Sequence, residues 1–496
     1  MSHAEGKTYI TDTGIVMAGS VDSGKSSFVG VLSTGKLDDG DGSARNTVAK
    51  HKHELDTKNV RTSDISTRHF KVDNRAITLI DLCGHDKYFK TTAFGMSSQF
   101  PDYAFVIVGC NRGILKMTIQ HITLIMATNV PMIIFITKPD IAPQESYVMC
   151  RKAIDRQCKD LIKIPAEFIN DYYDATHDTD EYKQQKLKFI SQTIGVDVNK
   201  VKQTVIPVIT ISNKTGYYID FTKQMLVYLH PRDPWTNFDF QNGNIIPADQ
   251  AKKYCRNRII QGFLNRIAEN FTSNIVCDDV SMFYVDAVYS PPGIGVVVTG
   301  INRGKTIRTN DTIYIGPING QFWETNIRSI HNNIKQQVDS LKNHERGTLA
   351  LSGGNKHIIN REFIRKGLVI VREKSFVSTN LCYRFRAVIT VYHHSATLRS
   401  GYTPMIHCGN VRQSARMILD KNENDGKDII STGQCAFVTF KFKSRPEIVE
   451  KYQTFVLRSG KVHGSGVILD IIPVSKDPDG KPDPLMKNKK SCVHSF

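Results

Sequence analysis

The stretch Gly19-Ser20-Val21-Asp22-Ser23-Gly24-Lys25-Ser26 constrains this chain more than any other. It fits G-x-x-x-x-G-K-[ST], a pattern that closes on phosphate when a strand runs into it and a helix leaves it. Both flanks are present. Ile15-Val16-Met17-Ala18 is apolar enough for a short buried strand, and Ser27-Phe28-Val29-Gly30-Val31-Leu32 opens a helix. The glycines let successive N–H groups curl around an anion at the helix N-terminus, where the helix dipole also favours negative charge. Lys25 can reach the outer phosphates, and the Ser26 hydroxyl can ligate Mg²⁺. The eight loop residues, with Ser27 behind them, form the candidate phosphate-binding stretch.

From residue 10 to about 230, apolar β-rich runs alternate with helical stretches, which predicts a doubly wound α/β domain. Residues 77–80, 104–108, 132–136 and 205–209 read as further strands. Open α/β sheets bind ligands just past the carboxyl ends of their strands, and polar motifs stand at those places here. Asp81-Leu82-Cys83-Gly84-His85 follows the first of these strands. An aspartate there can hold a metal through water, and Gly84 can turn its N–H toward a γ-phosphate. Thr137-Lys138-Pro139-Asp140 follows the third. The Asp140 carboxylate can accept from the N1–H and exocyclic amine of guanine together, a pairing that adenine does not offer. Thr210-Ile211-Ser212-Asn213-Lys214 follows the last as a polar turn able to close over the base. Taken singly, Asp81 reads equally as a helix cap and Asp140 as a turn residue. Taken in order at successive strand ends, the motifs describe a guanine-nucleotide site.

With 496 residues the chain calls for about three domains. It carries 65 Lys+Arg against 48 Asp+Glu, a formal charge of +17, which favours polyanionic partners such as RNA through phosphate neutralisation. No run of about 18 apolar residues occurs, so no membrane-spanning helix is expected, and residues 1–7 lack the apolar core of a secretory signal. The ten cysteines are scattered with no C-x-x-C pair, which fits reduced thiols in the cytoplasm. His407-Cys408 would need two further ligands to make a zinc site, and none is evident.

These motifs resemble the translational GTPases of the elongation factor Tu and elongation factor 1-alpha group. The run Asp81-Leu82-Cys83-Gly84-His85-Asp86-Lys87-Tyr88-Phe89-Lys90-Thr91-Thr92 is similar to the branch known as GTP-binding proteins one and two. So are Gly35-Lys36-Leu37-Asp38, His51-Lys52-His53-Glu54 and a threonine opening Thr137-Lys138-Pro139-Asp140. Further on, Pro292-Gly293-Ile294-Gly295-Val296-Val297-Val298-Thr299-Gly300 resembles the family's second domain, and Met405-Ile406-His407-Cys408-Gly409-Asn410-Val411-Arg412-Gln413 its third.

The resemblance implies an α/β P-loop GTPase domain, a doubly wound sheet, followed by two antiparallel β-barrel domains. The reading places the GTPase domain at 1–235 and an insertion with an amphipathic helix at 236–274. The barrels follow at 275–375 and 376–473, then a basic flexible tail at 474–496. The helix carries Ile260, Phe263, Leu264, Ile267 and Phe271 at helical spacing.

The resemblance also implies Mg²⁺-dependent hydrolysis of GTP to GDP, slow without a partner. Ser26, Thr62 and Asp81 would ligate or support the metal, Thr62 standing 19 residues before Asp81. His85 would position the attacking water. Gly84 would meet the γ-phosphate, and Thr137, Lys138, Asp140, Ser212, Asn213 and Lys214 would line the base pocket. A monomer that carries aminoacyl-tRNA or another RNA to the ribosome, served by an exchange or activating factor, is the function implied. A GTP-gated adaptor in RNA turnover or ribosome quality control, or a non-hydrolysing GTP-binding scaffold, stands as the alternative.

Overall fold

A computed structural model describes residues 12–48, 64–73, 75–128, 130–195, 203–231, 281–354, 357, 359–393, 397–422, 424, 426, 428–431, 434–451, 453–459 and 462–477. Thr62, the expected amphipathic helix of the insertion and the chain after 477 lie outside these residues. The chain divides into two compact units, Met1–Asn237 and Phe238–Phe496.

In the first unit, apolar runs bounded by turn residues become mostly buried parallel strands, a half-buried three-residue strand at the sheet edge excepted. They are β1 (Asp12–Gly19), β3 (Arg75–Asp81), β4 (Tyr103–Gly109), β5 (Met132–Thr137), β6 (Ala166–Phe168) and β7 (Ile206–Thr210). β2 (Ser66–Val72) forms an antiparallel hairpin with β3. The sheet runs β2-β3-β1-β4-β5-β7-β6. Helices α1 (Lys25–Thr34), α2 (Phe89–Ser98), α3 (Lys116–Ala127), α4 (Gln144–Gln157), α5 (Asp180–Ile190) and α6 (Ile219–Tyr228) complete the domain. β1 lies between β3 and β4, parallel to both, so the loop leaving it opens at the switch point of the strand order.

Packing then fixes that loop. Phe28 of α1 is fully buried with its ring 5.1 Å from Phe135, which in turn lies 4.7 Å from Phe105. Burying a side chain of that size contributes about 2–3 kcal/mol, enough to hold the first turns of α1 against the sheet. Gly30 lets the helix approach the short helical turn Ser43–Asn46, since a Cβ there would fall 2.0 Å from the Ala44 carbonyl oxygen.

The second unit holds two closed antiparallel barrels of six strands each. The first comprises β8 (Ser281–Tyr289), β9 (Val297–Gly304), β10 (Thr312–Ile318), β11 (Gln321–Asn332), β12 (Arg346–Ser352) and β13 (Val369–Val371), closed by the β10–β11 pairing. The second comprises β14 (Leu381–His393), β15 (Met405–Cys408), β16 (Val411–Leu419), β17 (Cys435–Phe442), β18 (Thr454–Ser459) and β19 (Val462–Pro473), closed by β14–β17. Inward side chains alternate with outward ones, and the rings of Phe385, Phe440, Phe442 and Phe455 fill the second core. His407 and Cys408 are buried on β15, and no cluster of three metal-ligating side chains occurs among the described residues.

The first four residues of the expected tail, 474–477, lie among the described residues. Asp477 is 8% exposed and accepts from the Arg384 Nε at 2.9 Å. An ion pair at the foot of β14 thus carries order a few residues past 473.

Polar groups join the barrels. The Asn410 amide donates to the Val285 carbonyl at 3.2 Å and the Leu368 carbonyl at 2.9 Å, and the Tyr284 hydroxyl donates to Glu450 at 3.3 Å. Glu450 is partly exposed, and desolvation pushes its carboxyl up to about 7, against the pull of Tyr284 and Arg303. The folded protein therefore holds the protonated form more tightly than the unfolded chain does. That contribution is complete below about pH 4.5 and is lost as pH rises through 7. Stability of the barrel unit is expected to fall by on the order of 3 kcal/mol across this window, because each tenfold difference in proton affinity is worth about 1.4 kcal/mol. Glu450→Gln should remove most of the slope. Urea titrations read by Trp323 fluorescence at pH 4.5 and 8 test this, and an unchanged slope in the variant would refute it.

Candidate functional site

The loop between β1 and α1 has a backbone that only glycine accepts at its first position. Gly19 has φ +139°, and a Cβ there would sit 2.3 Å from the Ile107 carbonyl oxygen of β4. Inside the loop the Ser23 hydroxyl donates to the Ser20 carbonyl at 2.9 Å, and Lys25 Nζ donates to the same oxygen at 2.7 Å. Lys25 is buried, and desolvation pushes its ammonium down to about 8, although Asp81 pulls the other way. A buried cation resting on one carbonyl at the mouth of an amide-lined loop suits an incoming phosphate. Asp22 stands at the outer edge with φ +60°, paired with Arg112 at 3.4 Å. Both side chains of that pair are half-exposed, so it contributes under about 1 kcal/mol.

Asp81 arrives from the end of β3. Its Oδ2 accepts from the Ser26 hydroxyl at 2.6 Å, and the residue is 1% exposed. This hydroxyl and carboxylate offer hard oxygen donors of the kind Mg²⁺ takes, with room in its shell for phosphate oxygens and water. Gly84 backs directly onto the loop: a Cβ there would lie 2.5 Å from Lys25 Nζ and 2.9 Å from the Val21 nitrogen. Any side chain at 84 would therefore push the metal-side loop off the phosphate loop. His85 follows, partly exposed, capping the short turn Asp86–Tyr88. Its Nδ1 accepts from the Lys87 N–H at 3.1 Å, which leaves the proton of the neutral ring on Nε2.

The base side is built from two strand ends. Lys138 adopts a left-handed φ of +63°, and Asp140 sits in the tight turn Pro139–Ile141. The Ser212 hydroxyl donates to Asp140 Oδ1 at 2.7 Å and accepts from the Thr215 N–H at 3.0 Å. Ser212 is fully buried, so this bond fixes the carboxylate's orientation. Thr137 is also fully buried, and its hydroxyl donates to the Ser23 carbonyl of the phosphate loop at 2.6 Å. The Asn213 amide reaches the Gly24 carbonyl from the other side at 3.5 Å. Lys214 is exposed and lies beside Gly40. The chain after α1 closes against this turn through the Asp38 N–H, which donates to the Asn213 carbonyl at 2.9 Å. Motifs far apart in sequence thus meet around one loop.

Two participants carry no motif signal. His121, on α3, accepts the Gly19 N–H on its Nδ1 at 2.8 Å and stacks on Phe89, the first residue of α2, with ring centroids 5.6 Å apart. Cys110, just past β4, donates its thiol to the Lys138 carbonyl at 3.1 Å, and burial pushes that thiol up to about 11. The seven described cysteines are all free thiols.

The sequence model of the family described as the elongation factor Tu GTP binding domain matches residues 13–263. Over 486 residues the chain is 29% identical to GTP-binding protein 1 of Xenopus laevis, an alignment covering 92% of this chain and 63% of that protein. It is 28% identical to GTP-binding protein 2 of Mus musculus, over 93% of this chain and 69% of that one. It is 21% identical to elongation factor 1-alpha of Methanopyrus kandleri, over 90% and 93%. Among solved structures, the fold matches translation elongation factor SelB of Methanococcus maripaludis in complex with the GTP analogue GPPNHP, with a TM-score of 0.58. Identity there is 17%, over 94% of this chain and 81% of that one.

Proposed function

The chain belongs to the elongation factor Tu type of translational GTPases, and on that premise we propose that it binds GTP with Mg²⁺, hydrolyses it slowly to GDP and phosphate, and uses the nucleotide state to carry aminoacyl-tRNA or a related RNA to the ribosome. The observation that carries this reading is the pair of short bonds at either end of the site. Ser26 to Asp81 marks a metal-and-phosphate end, and Ser212 to Asp140 marks an oriented carboxylate for a base. The spans of the Xenopus relative that this chain does not cover leave cargo, partners and activity as part of the proposal.

In this reading Gly19, Ser20, Val21, Asp22, Ser23 and Gly24, with Ser27 in the first turn of α1, wrap the phosphates, and Lys25 neutralises them. Ser26 and Asp81, joined by Thr62, would hold the metal, which would supply charge neutralisation at the phosphates when bound. Gly84 offers its N–H to the γ-phosphate, and His85 orients the attacking water. Lys138, Asp140 and Ser212 recognise guanine, with Thr137, Asn213 and Lys214 beside them. Phosphoryl transfer depends mostly on positioning and charge stabilisation, so a site lacking a partner's contribution turns over slowly. The protein acts as a cytoplasmic monomer, with an exchange or activating factor among its partners.

The Lys25 ammonium gives a pH test of the phosphate end. Anion binding needs the charged form, which predominates below about pH 8 and is lost above it. GDP affinity is expected to be flat from about pH 6.5 to 7.5 and to fall by up to about 10-fold per pH unit above about pH 8. Calorimetry across that range measures it. An affinity that does not change up to about pH 9.5 would contradict the assigned role.

A further inference from the structure

The two side chains that flank Gly24 divide a task between them. A Cβ on Gly24 would lie 3.5 Å from Asn213 Nδ2 and 3.6 Å from Thr137 Oγ1, so both polar groups converge on one point of the phosphate loop. Their commitments differ. A threonine hydroxyl has one proton, and Thr137 gives it to the Ser23 carbonyl at 2.6 Å, inside a fully buried setting. Ser212 likewise gives its proton to Asp140. The Asn213 amide has two N–H groups and makes only a long bond of 3.5 Å to Gly24, while its buried Oδ1 has no hydrogen-bond partner among the described residues. A carboxamide held this loosely beside a ligand site is one whose bonds are completed by the ligand.

Guanine presents two edges. Its N1–H and amine donate toward Asp140, and the opposite edge, O6 and N7, only accepts. N7 belongs to the imidazole ring, the end of the base that carries the ribose and so lies nearer the phosphate loop. The donor this acceptor needs must stand between Gly24 and the base-side turn, which is where the Asn213 amide stands. We propose that Asn213 is the base-binding residue that donates to purine N7, and that Thr137 is a positioning residue that ties the base-side strand to the phosphate loop without touching the base. The assignment rests on the guanine-nucleotide reading above.

The test uses GDP, ADP and 7-deaza-GDP, in which a C–H replaces N7, with the full chain, measured by calorimetry. The unmodified protein should bind 7-deaza-GDP about 10-fold more weakly than GDP, as loss of one hydrogen bond predicts. Asn213→Ala should bind GDP about 10-fold more weakly and treat the two ligands alike. Thr137→Val should weaken both ligands while keeping their ratio. Retention of the full ratio in Asn213→Ala, or its loss in Thr137→Val, would overturn the division of roles. So would equal binding of the two ligands by the unmodified protein. If the unmodified protein also failed to prefer GDP over ADP, the guanine reading itself would fall. Asn213→Gln, which keeps the amide, guards against a folding defect in the alanine variant: recovery of the ratio supports the assignment, and equal binding of the two ligands in a folded variant that still holds GDP tightly counts against it.

Discussion

Asp140→Asn is expected to turn a guanine site into a xanthine site. In the proposed pocket the carboxylate would accept two hydrogen bonds from guanine, and the Ser212 hydroxyl at 2.7 Å orients it. An asparagine there keeps one acceptor and replaces the other with an N–H group. That N–H faces the 2-amino group of guanine, donor against donor, but pairs with the 2-oxo group of xanthine. Each charge-assisted bond contributes about 1.5–3 kcal/mol, so GDP affinity should fall by about 10²–10⁴-fold. Xanthosine diphosphate should gain most of what GDP loses. Competition binding with the two nucleotides measures the exchange. Equal loss of both, in a variant that remains folded, would mean that Asp140 serves the turn rather than the base.

The second large effect concerns hydrolysis. His85 lies beside Gly84, which packs on the phosphate loop, and its ring is only partly buried. A proton on Nε2 leaves the ring able to donate to, and orient, a water near the γ-phosphate. His85→Ala should lower the partner-stimulated rate of GTP hydrolysis by about 10²–10⁴-fold, the usual range for such a group. GDP affinity should change little, because no phosphate or base contact is removed. Single-turnover kinetics beside equilibrium binding separates the two quantities. An unchanged stimulated rate would show that His85 does not position the water.

Much of this site is legible in the residues because phosphate and guanine chemistry dictate their order. The strand ends are placed by runs such as Met132-Ile133-Ile134-Phe135-Ile136, which becomes β5 with one residue added. The phosphate loop is placed by glycines whose backbone has no substitute at Gly19. What the sequence hides is tertiary. His121 sits mid-helix in Gln120-His121-Ile122, where nothing local shows that its ring will meet the first loop amide. Glu450 lies in a charged stretch, and nothing local shows that the Tyr284 hydroxyl of the other barrel will reach it. The hairpin strand β2 has the burial pattern of an edge, with only its first residue buried, so its apolar content is too low to announce it. Thr137 shows the subtlest case. Its place in the motif suggests the base, and only the Ser23 contact reveals a tether to the phosphate loop.

Single-turnover GTP hydrolysis, with and without ribosomes and then with aminoacyl-tRNA added, tests the central claim most directly. The account predicts a slow rate for the protein alone and strong stimulation by ribosomes that requires the aminoacyl-tRNA. Rapid hydrolysis by the protein alone, or tight GTP binding with no stimulation under any of these conditions, would contradict it.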